Sequence, residues 1–278
     1  MKNAYYNGRF SEIDEVRIPL TDRCVYFGDG VYDAMVGRNG KIHMLDKHVE
    51  RLYRSADAIG LNVGRTPEEL CEIIKILTCE YPFPYFIYVQ LSRRSETRCH
   101  AATDGAEANL LITLTPHLLP SPDKTLSLTF AKDLRYRMCN VKTLNLLPAV
   151  LASTRAAEAG YDEAVFVRDG FVTECAHSNI SIVKDGVLMT HPDCELILPG
   201  ITKALLISSA KKLGIPVCER PFTPSELTAA DSVLVSSTTK PVLEAEEIDG
   251  DPLPHGQSEE ARALINAAFS DYWKDMEG

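Results

Sequence analysis

The sequence predicts a mixed α/β protein, of the α+β kind, built from two domains. Three observations carry that expectation. Segments of helical and strand periodicity are interleaved along all 278 residues. Asn-Gly and Asp-Gly hairpin signals recur, and no clear βαβ repeat is seen. Near the middle, LLPSPDKT breaks either periodicity. The expected division is an N-terminal α/β domain over 1–118, a linker at 119–125 and a C-terminal domain over 126–278.

The elements follow in order. Asn7-Gly8 and Asn39-Gly40 mark two early hairpins. Between them lies VYFGDGVYDAMVG, where Gly28 and Gly30 allow a bend or a close backbone approach. Val49, Leu52, Tyr53, Ala56 and Ile59 make the apolar stripe of a helix over 46–59, stopped by Gly60. Thr66-Pro67-Glu68-Glu69 opens a second helix with a capping box. Strands are expected at 85–92 and 109–115, and the loop between them carries Arg93, Arg94, Arg98 and His100.

The second half begins with strands near 126–131 and 140–144, then a helix over 147–159. Strands follow at 163–168, 171–174, 178–183 and 187–190, turning at Asp169-Gly170 and Asp185-Gly186. A helix over 201–213, a capping box at Thr223–Glu226, a strand at 232–236 and a final helix over 258–275 complete the chain.

Composition narrows the function. Hydrophobic residues make up 45% of the chain, enough for a sizeable core. A formal net charge of −10 argues against nucleic acid as a partner. No apolar run approaches the roughly 20 residues of a membrane span, and MKNAYYNGRF lacks the apolar core of a signal peptide, so a cytoplasmic location is expected. The eight cysteines show no zinc spacing, and no metal site is expected.

Five features point to chemistry. Lys142 sits in a mostly apolar run, where partial desolvation favours a neutral, nucleophilic amine; alone it would be a solvated strand-edge lysine. Glu174 ends a strand, as either an exposed carboxylate or a partner for a protonated ring nitrogen. Pro199-Gly200-Ile201-Thr202-Lys203 opens a helix whose first amides form an anion site or merely a plain helix start. Ser237-Thr238-Thr239 offers a second hydroxyl cradle. Arg51 fits a phosphate contact and a surface position equally well by spacing.

With these residues in place, the chain resembles the class IV aminotransferases, pyridoxal-phosphate enzymes of fold type IV. The signature runs Glu174-x-Ala176-x-x-Asn179-Ile180, Leu188-x-Thr190, then Leu198-x-Gly200-Ile201-x-Lys203. The resemblance covers nearly the whole chain. It implies a small N-terminal α/β domain, a larger C-terminal mixed-sheet domain, and a homodimer with its site between domains. It also implies pyridoxal 5'-phosphate bonded to Lys142, Glu174 on the pyridine nitrogen, and Arg51, Ile201, Thr202 and Thr239 on the phosphate.

Within that family the chain is similar to the D-amino acid branch through FGDGVY, HVERLY, VKTLNLL, KDGVLMTHP and VSSTT. The loop RRSETRCH is the main discriminator. A guanidinium at Arg98 and an imidazole at His100 suit a carboxylate, although a solvated hairpin tip would look the same. The resemblance implies that Arg98, His100 and Tyr32 bind the substrate α-carboxylate. The expected activity is transamination between a D-amino acid, D-alanine-like, and 2-oxoglutarate or pyruvate. The alternatives are an L-branched-chain aminotransferase, aminodeoxychorismate lyase, or a non-catalytic binder of the cofactor. Two residues depart from the pattern. Ser181 stands where an aromatic residue is usual, and His177 where small hydroxyl residues are usual.

Overall fold

A computed structural model describes residues 2–102 and 105–277. The chain forms two compact units. The first holds Met1–Leu118, Val141–Asn145 and Trp273–Gly278; the second holds Leu119–Asn140 and Leu146–Tyr272.

The first unit contains β1 (Ala4–Tyr6), β2 (Arg9–Ser11), α1 (Arg23–Phe27), β3 (Gly30–Arg38), β4 (Lys41–Ile42), α2 (Leu45–Ala58), α3 (Pro67–Thr78), β5 (Tyr85–Ser92) and β6 (Asn109–Pro116). Its six strands form one antiparallel sheet in the order β2-β1-β6-β5-β3-β4. Strand alternation gives the sheet an apolar face. Ile87, Val89 and Leu91 stand opposite Leu114, Ile112 and Leu110, and all six are buried. Val49, Leu52 and Ala56 of α2 and Leu70, Ile74 and Leu77 of α3 join the same cluster. The capping box at Thr66–Glu69 forms, with Glu69 N donating to Thr66 Oγ1 at 3.2 Å and Thr66 N to Glu69 Oε2 at 2.8 Å.

The second unit contains β7 (Thr125–Lys132), α4 (Leu147–Glu158), β8 (Glu163–Arg168), β9 (Phe171–Cys175), β10 (Asn179–Lys184), β11 (Val187–Thr190), α5 (Ile201–Lys212), β12 (Val217–Glu219), α6 (Pro224–Thr228), β13 (Ser232–Ser236), β14 (Leu243–Ile248), β15 (Asp251–Pro252) and α7 (Glu259–Glu277), the last as far as Tyr272. The mixed nine-stranded sheet runs β12-β11-β10-β13-β14-β7-β8-β9, with β15 on β14. Its central strands β10 and β13 are almost wholly buried, as strands covered on both faces should be. Leu206 and Ala210 of α5 and Leu264 and Ala268 of α7 belong to their apolar cluster.

Two expectations change. β7 and β8 pair in parallel across α4, and β11 and β12 in parallel across α5, so βαβ crossovers are present. The long irregular stretch between β7 and α4 hides the first from a periodicity search. The strand expected at 140–144 is absent. Only Thr143 forms a bridge, to Val31, while Leu144 N donates to Gly30 O and Tyr32 N to Lys142 O. This segment meets only the first residues of β3, too short a pairing to make a strand.

Candidate active site

In the first unit, β3 and α2 build a buried charged cluster. His48 and Arg51 are three residues apart and so share one helix face. Both reach Asp33, which is fully buried. Arg51 Nε donates to Asp33 Oδ2 and Nη2 to Oδ1, each at 2.8 Å; His48 Nδ1 lies 2.7 Å from Oδ1. Burial alone would raise the Asp33 pKa, but the Arg51 charge and the His48 contact hold it well below the usual range. An ionised carboxylate only accepts hydrogen bonds, so His48 donates from Nδ1. Burial, aided by the Arg51 and Lys142 charges, keeps the His48 pKa below its ordinary value despite Asp33. Arg51 is therefore no surface arginine: Asp33 sets the plane of its guanidinium.

Lys142 also lies in this unit. Its Nζ is 4.4 Å from the centre of the Tyr32 ring, a cation–π contact. Its backbone N donates to Ser55 Oγ at 3.3 Å. Tyr32 in turn stacks on Tyr88, with ring centres 5.5 Å apart. Lysine and tyrosine thus stand together, each fixed by its own strand or loop.

Arg98 and His100 are exposed, and both gather on Phe27. The Arg98 guanidinium lies 5.0 Å from the Phe27 ring centre and the His100 ring 5.3 Å from it. Arg23 holds the loop from beneath. It is buried, with Nε on Asp29 at 2.8 Å, Nη1 on Glu96 at 2.9 Å and on Cys99 O at 2.5 Å, and Nη2 on His100 O at 3.0 Å.

In the second unit, Glu174 is buried at the end of β9. Oε2 accepts Asn179 Nδ2 and Leu198 N, each at 3.0 Å, and Oε1 accepts Arg135 Nη1. Arg135 also forks onto Asp133 through Nε and Nη2, each at 2.9 Å, and its guanidinium lies 4.5 Å from the Phe166 ring centre. Arg168 reaches Asp133 at 3.1 Å. Sequence reasoning missed Asp133, Arg135 and Arg168. A charged Asp-x-Arg directly after a strand was the available signal.

Gly200 precedes α5 with no side-chain cap, so the first amides of that helix have no intrahelical acceptor. A Cβ there would sit 1.9 Å from Asn179 Oδ1, so a larger residue would displace the Asn179 amide that bonds Glu174. Thr202 Oγ1 is 2.9 Å from Tyr272 Oη, which donates to Ser237 O at 3.4 Å. Ser237 Oγ is in turn 3.4 Å from Thr239 Oγ1. Hydrogen bonds therefore link the start of α5 to the turn after β13.

The two departures from the signature also find partners. Ser181 is fully buried opposite Thr190 and bonds its hydroxyl at 3.0 Å. A polar pair thus occupies the interior where an aromatic ring is usual. The His177 side chain is half exposed and lies 2.8 Å from Glu163. Cys175 is buried, and burial pushes its thiol pKa well up, so it stays a neutral packing residue. Among the described residues no cluster of metal-ligating side chains occurs, and no helix is long and apolar enough to cross a membrane.

The amino-transferase class IV family model matches residues 30–248. The chain belongs to that family and is an aminotransferase of fold type IV. D-alanine aminotransferase of Listeria monocytogenes serotype 1/2a (strain 10403S) is 36% identical over 273 residues, covering 96% of this chain and 93% of the relative. That of Bacillus licheniformis is 34% identical over 254 residues, 90% of each chain. The branched-chain aminotransferase of Thermoproteus uzoniensis, solved with norvaline, superposes with a TM-score of 0.89 at 26% identity, over 99% of this chain and 96% of its own.

Proposed function

We propose that this enzyme transfers the amino group of a D-amino acid, D-alanine or one like it, to 2-oxoglutarate or pyruvate, with pyridoxal 5'-phosphate as cofactor. The observation that carries this reading is the Arg98–His100 pair, gathered on Phe27, in a chain similar to D-alanine aminotransferases along nearly its whole length. We further propose a cytoplasmic homodimer.

The residues present fit the cofactor. Glu174, locked by Arg135, Asn179 and the Leu198 amide, offers a fixed negative charge to a ring nitrogen. The uncapped amides at Ile201 and Thr202, with the Thr202 and Thr239 hydroxyls, suit a phosphate. Arg51, oriented by Asp33, adds a cation. Lys142 supplies the amine that bonds the cofactor. When bound, pyridoxal phosphate withdraws electrons from the substrate α-carbon.

The chain's residues do the rest. Arg98, His100 and Tyr32 grip the α-carboxylate and so choose which enantiomer turns its α-hydrogen towards the base. Once the substrate amine has taken its place, the free Lys142 amine removes the α-proton at Nζ and does not give it back to the α-carbon, since return there would only regenerate an amino acid. The Tyr32 ring face holds the Lys142 ammonium near one position.

A half-reaction screen tests this. D-alanine should bleach the visible band of the lysine-bound cofactor, and L-leucine should not. Bleaching by L-leucine alone would replace this reading with the branched-chain one. Pyruvate released from aminodeoxychorismate without an amino acceptor would replace it with the lyase.

A further inference from the structure

Glu163 opens β8 and is 1% exposed, yet no step above uses it. Its carboxylate collects four contacts. Oε1 accepts His177 N at 3.2 Å and lies 2.8 Å from His177 Nδ1. Oε2 accepts Ser178 Oγ at 3.1 Å and Lys240 Nζ at 2.9 Å. Lys240 Nζ is also 3.4 Å from His177 Nε2. Burial opposes ionisation of Glu163, but His177 and Lys240 hold its pKa below the usual range. A buried carboxylate with this many donors is tied in place.

These contacts join two separate turns. One, at 176–178, lies between Glu174 and Asn179. The other is closed by Ser237 N on Lys240 O at 2.7 Å and Lys240 N on Ser237 Oγ at 3.1 Å, and it carries Thr239. His177, one of the two residues that depart from the family pattern, completes the knot. A buried ion pair of this kind adds little net stability against an apolar replacement. What it does is hold geometry.

We infer that Glu163, acting through Lys240 and His177, is a positioning residue that sets the Thr239 turn against the turn after Glu174, ready for the cofactor phosphate. The inference rests on the reading that Thr239 meets that phosphate. It goes further by assigning three residues to phosphate affinity that do not touch the phosphate themselves.

Titrating apoprotein with pyridoxal phosphate and with pyridoxal, which lacks the phosphate, separates the possibilities. Lys240→Met, at a part-exposed side chain, should weaken pyridoxal phosphate on the order of ten- to a hundred-fold, as loss of a charge-assisted contact does. Pyridoxal binding should not change, and Lys240→Arg should restore most of the loss. Glu163→Gln should show the same selective loss, and His177→Ala a smaller one. Equal weakening of both ligands in Lys240→Met, or of neither, overturns the inference. A wild-type apoprotein that binds both equally removes the phosphate reading itself, and the inference with it.

Discussion

Glu174 and Arg98 are both charged residues assigned to a small ligand, but their surroundings differ. Glu174 is buried, and both carboxylate oxygens are held by fixed donors. Arg98 is exposed and rests on aromatic faces, while Arg23 secures its loop through backbone carbonyls. The difference teaches a division of labour. Residues assigned to the cofactor sit in networks that also hold the fold, whereas residues assigned to the substrate carboxylate sit where change costs the fold little. Cofactor binding and stability should therefore fail together, and substrate choice should fail alone.

The largest expected effect sets the reference. Lys142→Ala should slow the half-reaction about 10²–10⁴-fold, the usual worth of a positioned acid–base group. Stopped-flow with D-alanine measures it, and borohydride should no longer fix cofactor to the protein. Full turnover in this variant would refute the assignment.

Next comes the buried side of the comparison. Arg135→Met leaves Asp133 and Glu174 facing each other without their shared cation. Removing one partner of a buried network costs about 3–5 kcal/mol, read as a lower unfolding midpoint together with weaker cofactor absorbance. A stable variant with normal absorbance would break the link between network and cofactor.

The exposed side should respond differently. Arg98→Ala should cost roughly 1.5–3 kcal/mol in kcat/KM for D-alanine, with the unfolding midpoint nearly unchanged. A primary amine without a carboxylate should react equally well with variant and parent. If D-alanine kinetics do not move, Arg98 leaves the carboxylate role. Arg23→Met should give a milder rise in KM for the same donor at an unchanged cofactor spectrum, but with a lower unfolding midpoint, because it takes a buried cation from Asp29 and Glu96.

Acid gives the smallest expected effect. The His48 pKa lies below its ordinary value in the folded state, so the unfolded chain takes up a proton first as pH falls. His48 therefore stabilises fully above about pH 6.5, the ordinary histidine value. That contribution is lost as pH drops from there towards the lower folded value. Asp33, also depressed, adds a further loss below the ordinary carboxylate range near pH 4. The unfolding midpoint should thus fall from pH 7.5 to pH 5, and His48→Gln should flatten that slope.

Much of the frame was legible because it is local. The turns at Asn7-Gly8, Asn39-Gly40, Asp169-Gly170 and Asp185-Gly186 all take the positive φ pair their dipeptides favour. Both capping boxes form. Asp249-Gly250 carries the same turn signal and joins β14 to β15, a hairpin the expectations did not include. β14 itself, LEAEEI, has poor strand propensity and is a strand because β13 and β7 flank it. The short α1 escaped because five residues show no period.

The site divides in the same way. The amino-acid sequence by itself determined the family signature around Glu174 and Gly200, Lys142 within its apolar run, and the Arg98–His100 pair, since each is a pattern of near neighbours. Only the tertiary structure decided which charges neutralise one another. Asp33 meets Arg51, Arg135 joins Asp133 to Glu174, and Glu163 ties His177 to Lys240. The physical reason is that a buried charge is stable only beside a partner. Apart from the neighbours Asp133 and Arg135, sheet pairing and chain reversal choose that partner, and no spacing along the chain encodes it.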